Sequence, residues 1–420
     1  MRLIVATARL VGPGGAETYA LTMAEQLARL GHEVTLHARE VGGLCAQAAR
    51  DRALAVTDDL DRLPADADGA LITVDRVLAL DLASRYPDAV RIYVPHSTDD
   101  RYLPPPVPGA VAATVALSER QARRIAACVE KGELVRLRQP VDLRRFSPRA
   151  RPRERPARVL LLGNYHSLRN GAGERLREAW SDFDLEWHEI GGDRASLAVP
   201  QSIAAADIVV GYGRSAIEGM ACGRPVYVHD HSGTEGWVTR ESYAALEAGG
   251  FAVSDERRGH DIADLRRDLE AYDSELGRVG HELARAHHDA REHAAQLVEV
   301  MRRLRPAPWP GHGSSLRAVT VLAEAVLRAE TAAEQYRFEA KDWAEEHRRL
   351  QADYQRVNAD YQRVNADYQR LEAVVRGLEH EPDAAAVSAG GLERRLQALR
   401  SIRYRMMKAL SRLLDWLSRR

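Results

Sequence analysis

The sequence predicts an α/β fold: two doubly wound domains, each built on a parallel sheet, followed by a C-terminal coiled coil and an amphipathic helix. Three observations predict it. Short apolar runs alternate with helical segments at βα spacing, as sheets covered by helices on both faces require. An apolar strand running into a glycine turn opens the chain at residues 3–15 and recurs at 158–163. A chain of 420 residues is too long for one core of ordinary size. Breaks in composition set the boundaries. They give a first domain at 1–142, an Arg- and Pro-rich linker at 143–157 and a second domain at 158–304. A proline-broken linker at 305–315, a coiled-coil helix at 316–380, a linker at 381–391 and a basic amphipathic helix at 392–420 follow.

Composition narrows the class. Charged residues make up 29% of the chain, and the net charge of −1 conceals a basic C-terminal end. Cys45, Cys128 and Cys222 are too scattered for a zinc or disulfide framework, so a reducing cytoplasm is the simplest reading. The apolar start at residues 1–6 is interrupted too soon for a signal peptide, and no apolar run is long enough to span a membrane.

In the first domain, residues 3–6 read as a buried strand. Gly12, Gly14 and Gly15 turn into a helix from about 16 to 30, with Leu21, Met23, Ala24, Leu27, Ala28 and Leu30 as its apolar stripe. Gly31 stops it, and residues 34–37 form the next strand. These glycines do not spell G-x-G-x-x-G, and a turn that merely caps a helix explains them as well as a phosphate loop does. Further strands read at 70–74, 91–95, 113–117 and 134–137, with helices near 76–86 and 119–129. His96 and Ser97 stand at the carboxyl end of a strand, the edge where open α/β sheets bind ligands. A lone histidine is more often structural. Residues 99–109, with three consecutive prolines, read as an acceptor loop or as a plain connection. Ser118 fits the N-cap of the helix after it.

The most informative stretch of the second domain is 206–228. A strand at 208–210 meets a turn at Gly211 and Gly213. A helix from about 214 to 222 ends on Gly223 with Pro225 beyond, and a strand follows at 226–228. Such a turn offers backbone N–H groups and the positive end of a helix dipole to a phosphate. Arg214 adds charge, and Glu218, one turn in, accepts hydrogen bonds from hydroxyls. Cations beside a carboxylate suit a nucleotide or nucleotide sugar; a plain strand–helix–strand unit is the alternative. Residues 229–240 read as a ligand loop, in which Asp230 and His231 alone do not make a metal site. Residues 256–304 read as charged helix, with His281, His287, His288 and His293 on a solvated face.

Residues 216–226, Ala-Ile-Glu-Gly-Met-Ala-Cys-Gly-Arg-Pro-Val, resemble the donor-site signature of retaining GT-B glycosyltransferases of the family 4 kind. Gly14-Gly15-Ala16-Glu17 is similar to that family's opening, and residues 140–148 resemble its interdomain hinge. The likeness spans roughly residues 1–300. It implies two Rossmann-like domains across a cleft and metal-independent, hexosyltransferase-type transfer from a nucleotide sugar with retention. By the same resemblance Glu218 takes the ribose. Gly14, Gly15, Gly163, Gly213, Arg214 and Ser215 approach the donor, with Arg169 and Arg175 as further cations. His96 becomes the catalytic candidate near the reacting centre. A second glutamate of the family's pattern, eight residues before Glu218, is replaced by Val210, and the second domain is shorter than the family's. The resemblance implies no cofactor beyond the donor substrate and no metal.

The tail differs in kind. Ala-Asp-Tyr-Gln-Arg-Val-Asn begins at Ala352 and Ala359, and recurs at Ala366 with Leu371 in the valine place. Tyr354, Val357, Tyr361, Val364, Tyr368 and Leu371 alternate three and four apart, a heptad seam over 343–378 that asks for a second copy. A single solvated helix is the alternative. Residues 392–420 carry nine Arg or Lys against Glu393 and Asp415, with Leu399, Ile402, Met406, Leu410, Leu413 and Leu417 on one face. That pattern suits an anionic membrane better than nucleic acid, or else a face packed on the protein itself.

Together these predict a cytoplasmic glycosyltransferase, peripheral on the inner face of the plasma membrane. It would transfer a sugar to a cell-envelope or lipid-linked glycan acceptor. Two other readings stand beside it: a non-catalytic GT-B-like scaffold assembled through the coiled coil, and a sugar-nucleotide epimerase, which would need no acceptor.

Overall fold

The computed structural model describes residues 1–96, 109–127, 133–164, 171–254 and 261–309, with Val321 and seven residues between 351 and 369. The chain divides into two units, Met1–Leu327 and Arg328–Arg420.

The first unit holds two sheets. The N-terminal one is built from β1 (Arg2–Leu10), α1 (Gly15–Arg29), β2 (Glu33–Val41), α2 (Gly43–Asp51), β3 (Ala55–Thr57), β4 (Gly69–Thr73) and α3 (Arg76–Arg85). β5 (Val90–Val94), β6 (Ala113–Ala116), α4 (Glu119–Ala126) and β7 (Glu133–Arg136) complete it. The strand order is β3-β2-β1-β4-β5-β6-β7, and every pair is parallel. Residues 3–6 are buried on both faces. Leu3 and Val5 join the core under α1, while Ile4 and Ala6 join the core under α3. This is why the strand reads as a continuous apolar run. Residues 43–57, in which the sequence shows no element, form α2 and β3; the buried face of α2 is Cys45, Ala46, Ala48 and Ala49, too small to give a clear stripe.

The second sheet uses β8 (Arg158–Leu162), α5 (Gly171–Ala179), β9 (Glu186–Ile190), α6 (Val199–Ala205), β10 (Ile208–Gly211), α7 (Arg214–Ala221) and β11 (Val226–Asp230). β12 (Gly233–Trp237) and α8 (Tyr243–Gly249) follow. The order is β9-β8-β10-β11-β12, parallel except for β12, which runs antiparallel to β11. Residues 229–240 are thus not an open ligand loop. They form a hairpin whose Trp237 enters the core beside Trp180 and Tyr227.

The stretch 256–304 contains three helices, α9 (Ile262–Glu270), α10 (Leu276–His287) and α11 (Ala290–Arg303). The expected boundary at 304 moves, because α11 returns to the first domain. Its Ala294, Leu297, Val298 and Met301 pack in one core with Tyr19, Met23 and Leu27 of α1. The two crossings between domains lie side by side. Val141 N donates to His288 O at 2.8 Å, Ala290 N donates to Val141 O at 3.0 Å, and Val141 bridges Asp289 in parallel.

The linker expected at 305–315 begins as a docked strap. Arg91 on β5 is fully buried. Its guanidinium donates to the carbonyls of Ala110 (2.7 Å), Tyr86 (2.8 Å), Ala89 (2.9 Å), Pro87 (3.1 Å) and Gly109 (3.4 Å), and to Ala307 at 2.7 Å. Trp309 packs against Leu80, Ala83 and Ala110, and its Nε1 donates to Ser84 Oγ at 3.2 Å.

In the second unit Gln351, Gln355, Ala359, Gln362, Arg363, Ala366 and Gln369 are helical and exposed. All fall off the expected seam. The seam residues, and the basic helix at 392–420, lie outside the described residues. Among those described, no helix is long and apolar enough to cross a membrane.

Candidate functional site

Both sheets reverse strand order beside their first strand, β1 and β8, and ligands of open α/β sheets sit beyond the carboxyl ends at such points. The turns there are rich in glycine for a steric reason. A Cβ on Gly191, after β9, would lie 2.1 Å from Gly163 O, and one on Gly163 would lie 2.7 Å from the Tyr212 ring. Gly191 also has φ 142° and ψ 168°, a region open essentially to glycine alone. The turns after β8 and β9 therefore pack backbone to backbone, with the Tyr212 ring of the turn after β10 against Gly163. Gly191→Ala is expected to destabilise the protein by about 2–3 kcal/mol, seen as a lower urea midpoint; an unchanged midpoint would count against this packing.

α7 starts as the sequence suggests, with Gly213 at its N-cap at φ 53°. Its amides are less available than expected. Gly213 N donates to Phe251 O at 2.8 Å, and Ser215 N donates to Tyr212 O at 3.1 Å. Arg214 and Glu218 do converge, but first on each other: Arg214 Nε donates to Glu218 Oε1 at 2.8 Å, and the two side chains are only 10% and 9% exposed. Burial pushes the Glu218 carboxyl above its ordinary value, and Arg214 opposes that shift. The guanidinium also reaches the other domain. It donates to Pro140 O at 3.2 Å in the first crossing and to Thr22 Oγ1 of α1 at 3.4 Å.

On the facing edge, Gly14 caps α1 and Gly15 begins it. The Glu17 carboxylate folds back so closely that a Cβ on Gly14 would meet its Oε2 at 2.2 Å. Burial raises the Glu17 carboxyl above its usual range. His96 follows β5 in a left-handed conformation, φ 51°, uncommon for a residue with a side chain. Its ring lies edge-on to Tyr19, centroids 4.4 Å apart. Its Nε2 is shielded from solvent and has no hydrogen-bond partner among the described residues. Burial, with help from Arg214, lowers its pKa to about 3, so the imidazole is neutral.

Arg214 thus links Glu218 on α7 to Thr22 on α1 and acts on His96, while Gly14 and Gly15 stand at the start of α1, Gly213 and Ser215 at the start of α7 and Gly163 in the turn after β8. Val210 points elsewhere: it is fully buried in the core of β10. Ser118 is an N-cap, accepting from Gln121 N at 3.1 Å, and it also meets Gly250 across the cleft. Arg169 and most of loop 99–109 lie outside the described residues. Arg175 is exposed on α5, beside His229 and Thr234 rather than in the cleft.

Sequence reading missed Tyr19, Thr22, His288 and His293. The histidines do not lie on a solvated face: His288 is 1% and His293 4% exposed. Nothing in their spacing marks this, because their partners lie on distant elements.

Across the cleft the two domains also touch through Arg120, whose Nη1 donates to Val253 O at 3.0 Å, and through an ion pair between Arg136 and Glu247. No protein-family model matches the chain, and no curated protein does. Solved structures do. HepE of Anabaena, determined with UDP and glucose, is similar at 13% identity over 72% of this chain and 99% of that one, with a TM-score of 0.50. Sucrose-phosphate synthase of Thermosynechococcus elongatus is similar at 14% identity, over 72% and 99%, with a TM-score of 0.47. A glycosyltransferase of Rickettsia africae is similar at 14% identity, over 71% and 97%, with a TM-score of 0.47. The likeness to HepE concerns the fold: two Rossmann-like domains facing across a cleft, the GT-B arrangement.

Proposed function

We propose that the protein is a GT-B glycosyltransferase, moving a sugar from a nucleotide sugar to an acceptor hydroxyl. The observation that carries this reading is the Arg214–Glu218 pair, held at the carboxyl edge of the second sheet and reaching α1 across the cleft. A ribose hydroxyl donating to Glu218 would take the place of the guanidinium, and Arg214 would turn to the diphosphate. Charge growing on the leaving diphosphate would then be met by the Arg214 guanidinium. HepE was solved with UDP and glucose, which makes a UDP-hexose the first donor to try.

In this reading transfer retains the anomeric configuration and needs no metal. The acceptor is a lipid-linked or cell-envelope glycan, brought near by the basic helix at 392–420 at the inner membrane face, and 343–378 pairs copies of the chain.

Glu218→Gln keeps the shape of the pair and removes the charge. It is expected to weaken donor binding ten- to a hundredfold, about 1.5–3 kcal/mol for a hydrogen bond to a charged group. Thermal shift against UDP-, GDP-, dTDP- and ADP-sugars reads this directly. A donor that stabilises wild type and E218Q equally would remove Glu218 from the site. Glutamine is the better probe than alanine, which would strand a buried guanidinium and confuse binding with folding.

One observation favours a scaffold instead: Glu218 is already satisfied by Arg214, and the Gly213 amide by Phe251. No stabilisation by any donor, and no nucleotide release with acceptor present, would make that reading the better one.

A further inference from the structure

His288 and His293, either side of the start of α11, repeat one arrangement. His288 Nδ1 lies 2.7 Å from Gln139 O and His293 Nδ1 lies 2.9 Å from Arg138 O, consecutive carbonyls of the first crossing. A carbonyl only accepts, so each Nδ1 carries the hydrogen. Burial lowers the two rings to about 4 and about 3, so both are neutral and each Nε2 is a bare lone pair. Two tyrosines fill those lone pairs. Tyr243 OH of the second domain donates to His288 Nε2 at 2.9 Å, and Tyr19 OH of the first domain donates to His293 Nε2 at 2.8 Å. Backbone geometry alone therefore fixes both tautomers.

The Tyr243 branch stays at the hinge. The Tyr19 branch continues to the cleft. Tyr19 is fully buried, and its ring meets His96 at 4.4 Å and His293 at 5.5 Å, edge-on to both. His96 combines an uncommon backbone conformation with a shielded nitrogen that has no partner among the described residues. Strain beside an unpaired polar atom persists only where the surroundings enforce it. Tyr19 is an aromatic neighbour in contact with the His96 ring, and its own position is tied through His293 to the Arg138 carbonyl.

We propose that Tyr19 and His293 are positioning residues: the chain Arg138 O–His293–Tyr19 fixes the His96 imidazole so that its Nε2 meets a hydroxyl of the bound sugar. This rests on the cleft being a sugar-transfer site. A hydroxyl suits that nitrogen in either tautomer, since it both donates and accepts. It also needs no imidazolium, which the neighbouring Arg214 guanidinium opposes. A movement of the hinge at Arg138 is thereby carried to the sugar contact.

The test is a double-mutant cycle on the full chain, with wild type, Y19F, H96A and Y19F/H96A assayed for transfer. Y19F is expected to lower kcat about tenfold with little change in donor KM, and to add nothing once His96 is gone. An equal loss in both backgrounds, or no loss in wild type, overturns the proposal. A conservative pair guards against a Y19F protein that does not fold. His293→Gln still donates to one partner and accepts from the other, and should retain most of the rate; His293→Leu should behave as Y19F. Equal rates for these two would also overturn it. A second readout needs no turnover: nitrogen-15 spectra of the histidine rings should show the His96 signals shifted or broadened in Y19F relative to wild type. Unchanged His96 signals would defeat the positioning role. Absence of transfer by wild type with every donor would instead defeat the proposed function and leave the spectral test standing.

Discussion

Arg91→Met is expected to cost about 3–5 kcal/mol of stability and to release the strap at 305–309. Methionine fills much of the same volume, so the loss comes from hydrogen bonds rather than packing. Six carbonyl oxygens, from Tyr86 to Ala307, share one guanidinium. Burial lowers the Arg91 pKa, yet an arginine stays charged, and here neutral carbonyl dipoles surround it. Removing it leaves several buried acceptors unsatisfied at about 1–3 kcal/mol each, partly recovered by water. Urea unfolding followed by tryptophan fluorescence gives the first number, and cleavage by trypsin after Arg303, where the strap leaves α11, reports the second. Wild-type stability in R91M, or a strap no more readily cut, would show that the carbonyls do not depend on it.

Acidification is expected to remove about 4 kcal/mol between neutrality and pH 5. His288 and His293 titrate near 6.5 when unfolded but near 4 and 3 when folded. Their folded values are depressed, so between those pH values the unfolded chain binds protons that the native state refuses. Stability from the two rings is complete above about 6.5 and falls as pH drops, by about 1.4 kcal/mol per unit for each. His37 and His96 are depressed by burial too and act in the same direction. Urea midpoints from pH 8 to 5 measure the slope, and His293→Gln should flatten it by about one ring's share. A flat profile in wild type would mean that these rings are protonated, or solvated, in the native state.

Much of the fold was legible because parallel strands buried on both faces announce themselves. Residues 3–6, 159–162 and 208–210 are apolar without interruption, and each lies in a central strand. The hairpin at β12 was not legible, since Gly233, Thr234 and Gly236 resemble a loop until Trp237 is seen in the core. α11 was misassigned to the second domain because a sequence shows that a helix has an apolar face and not which sheet covers it. In the site, Arg214 and Glu218 could be placed four residues apart on one helix from the sequence. Their pairing with each other, and the reach of Arg214 to Thr22, depend on the closeness of two domains. The same holds for Tyr19 and His293, which are 274 residues apart.

The side-by-side crossings at Val141 and Asp289 have a mechanical consequence. A single flexible connection would let one domain bend, twist and slide against the other. Two chain passages bonded to each other behave as the pin of a door, which leaves swing about one line and resists the rest. The opposed edges of the cleft then approach along a single arc. On that arc the reaches of Arg214 to Thr22, of Arg120 to Val253 and of Arg136 to Glu247 change in concert, so a ligand that adjusts one of these gaps bears on the others as well.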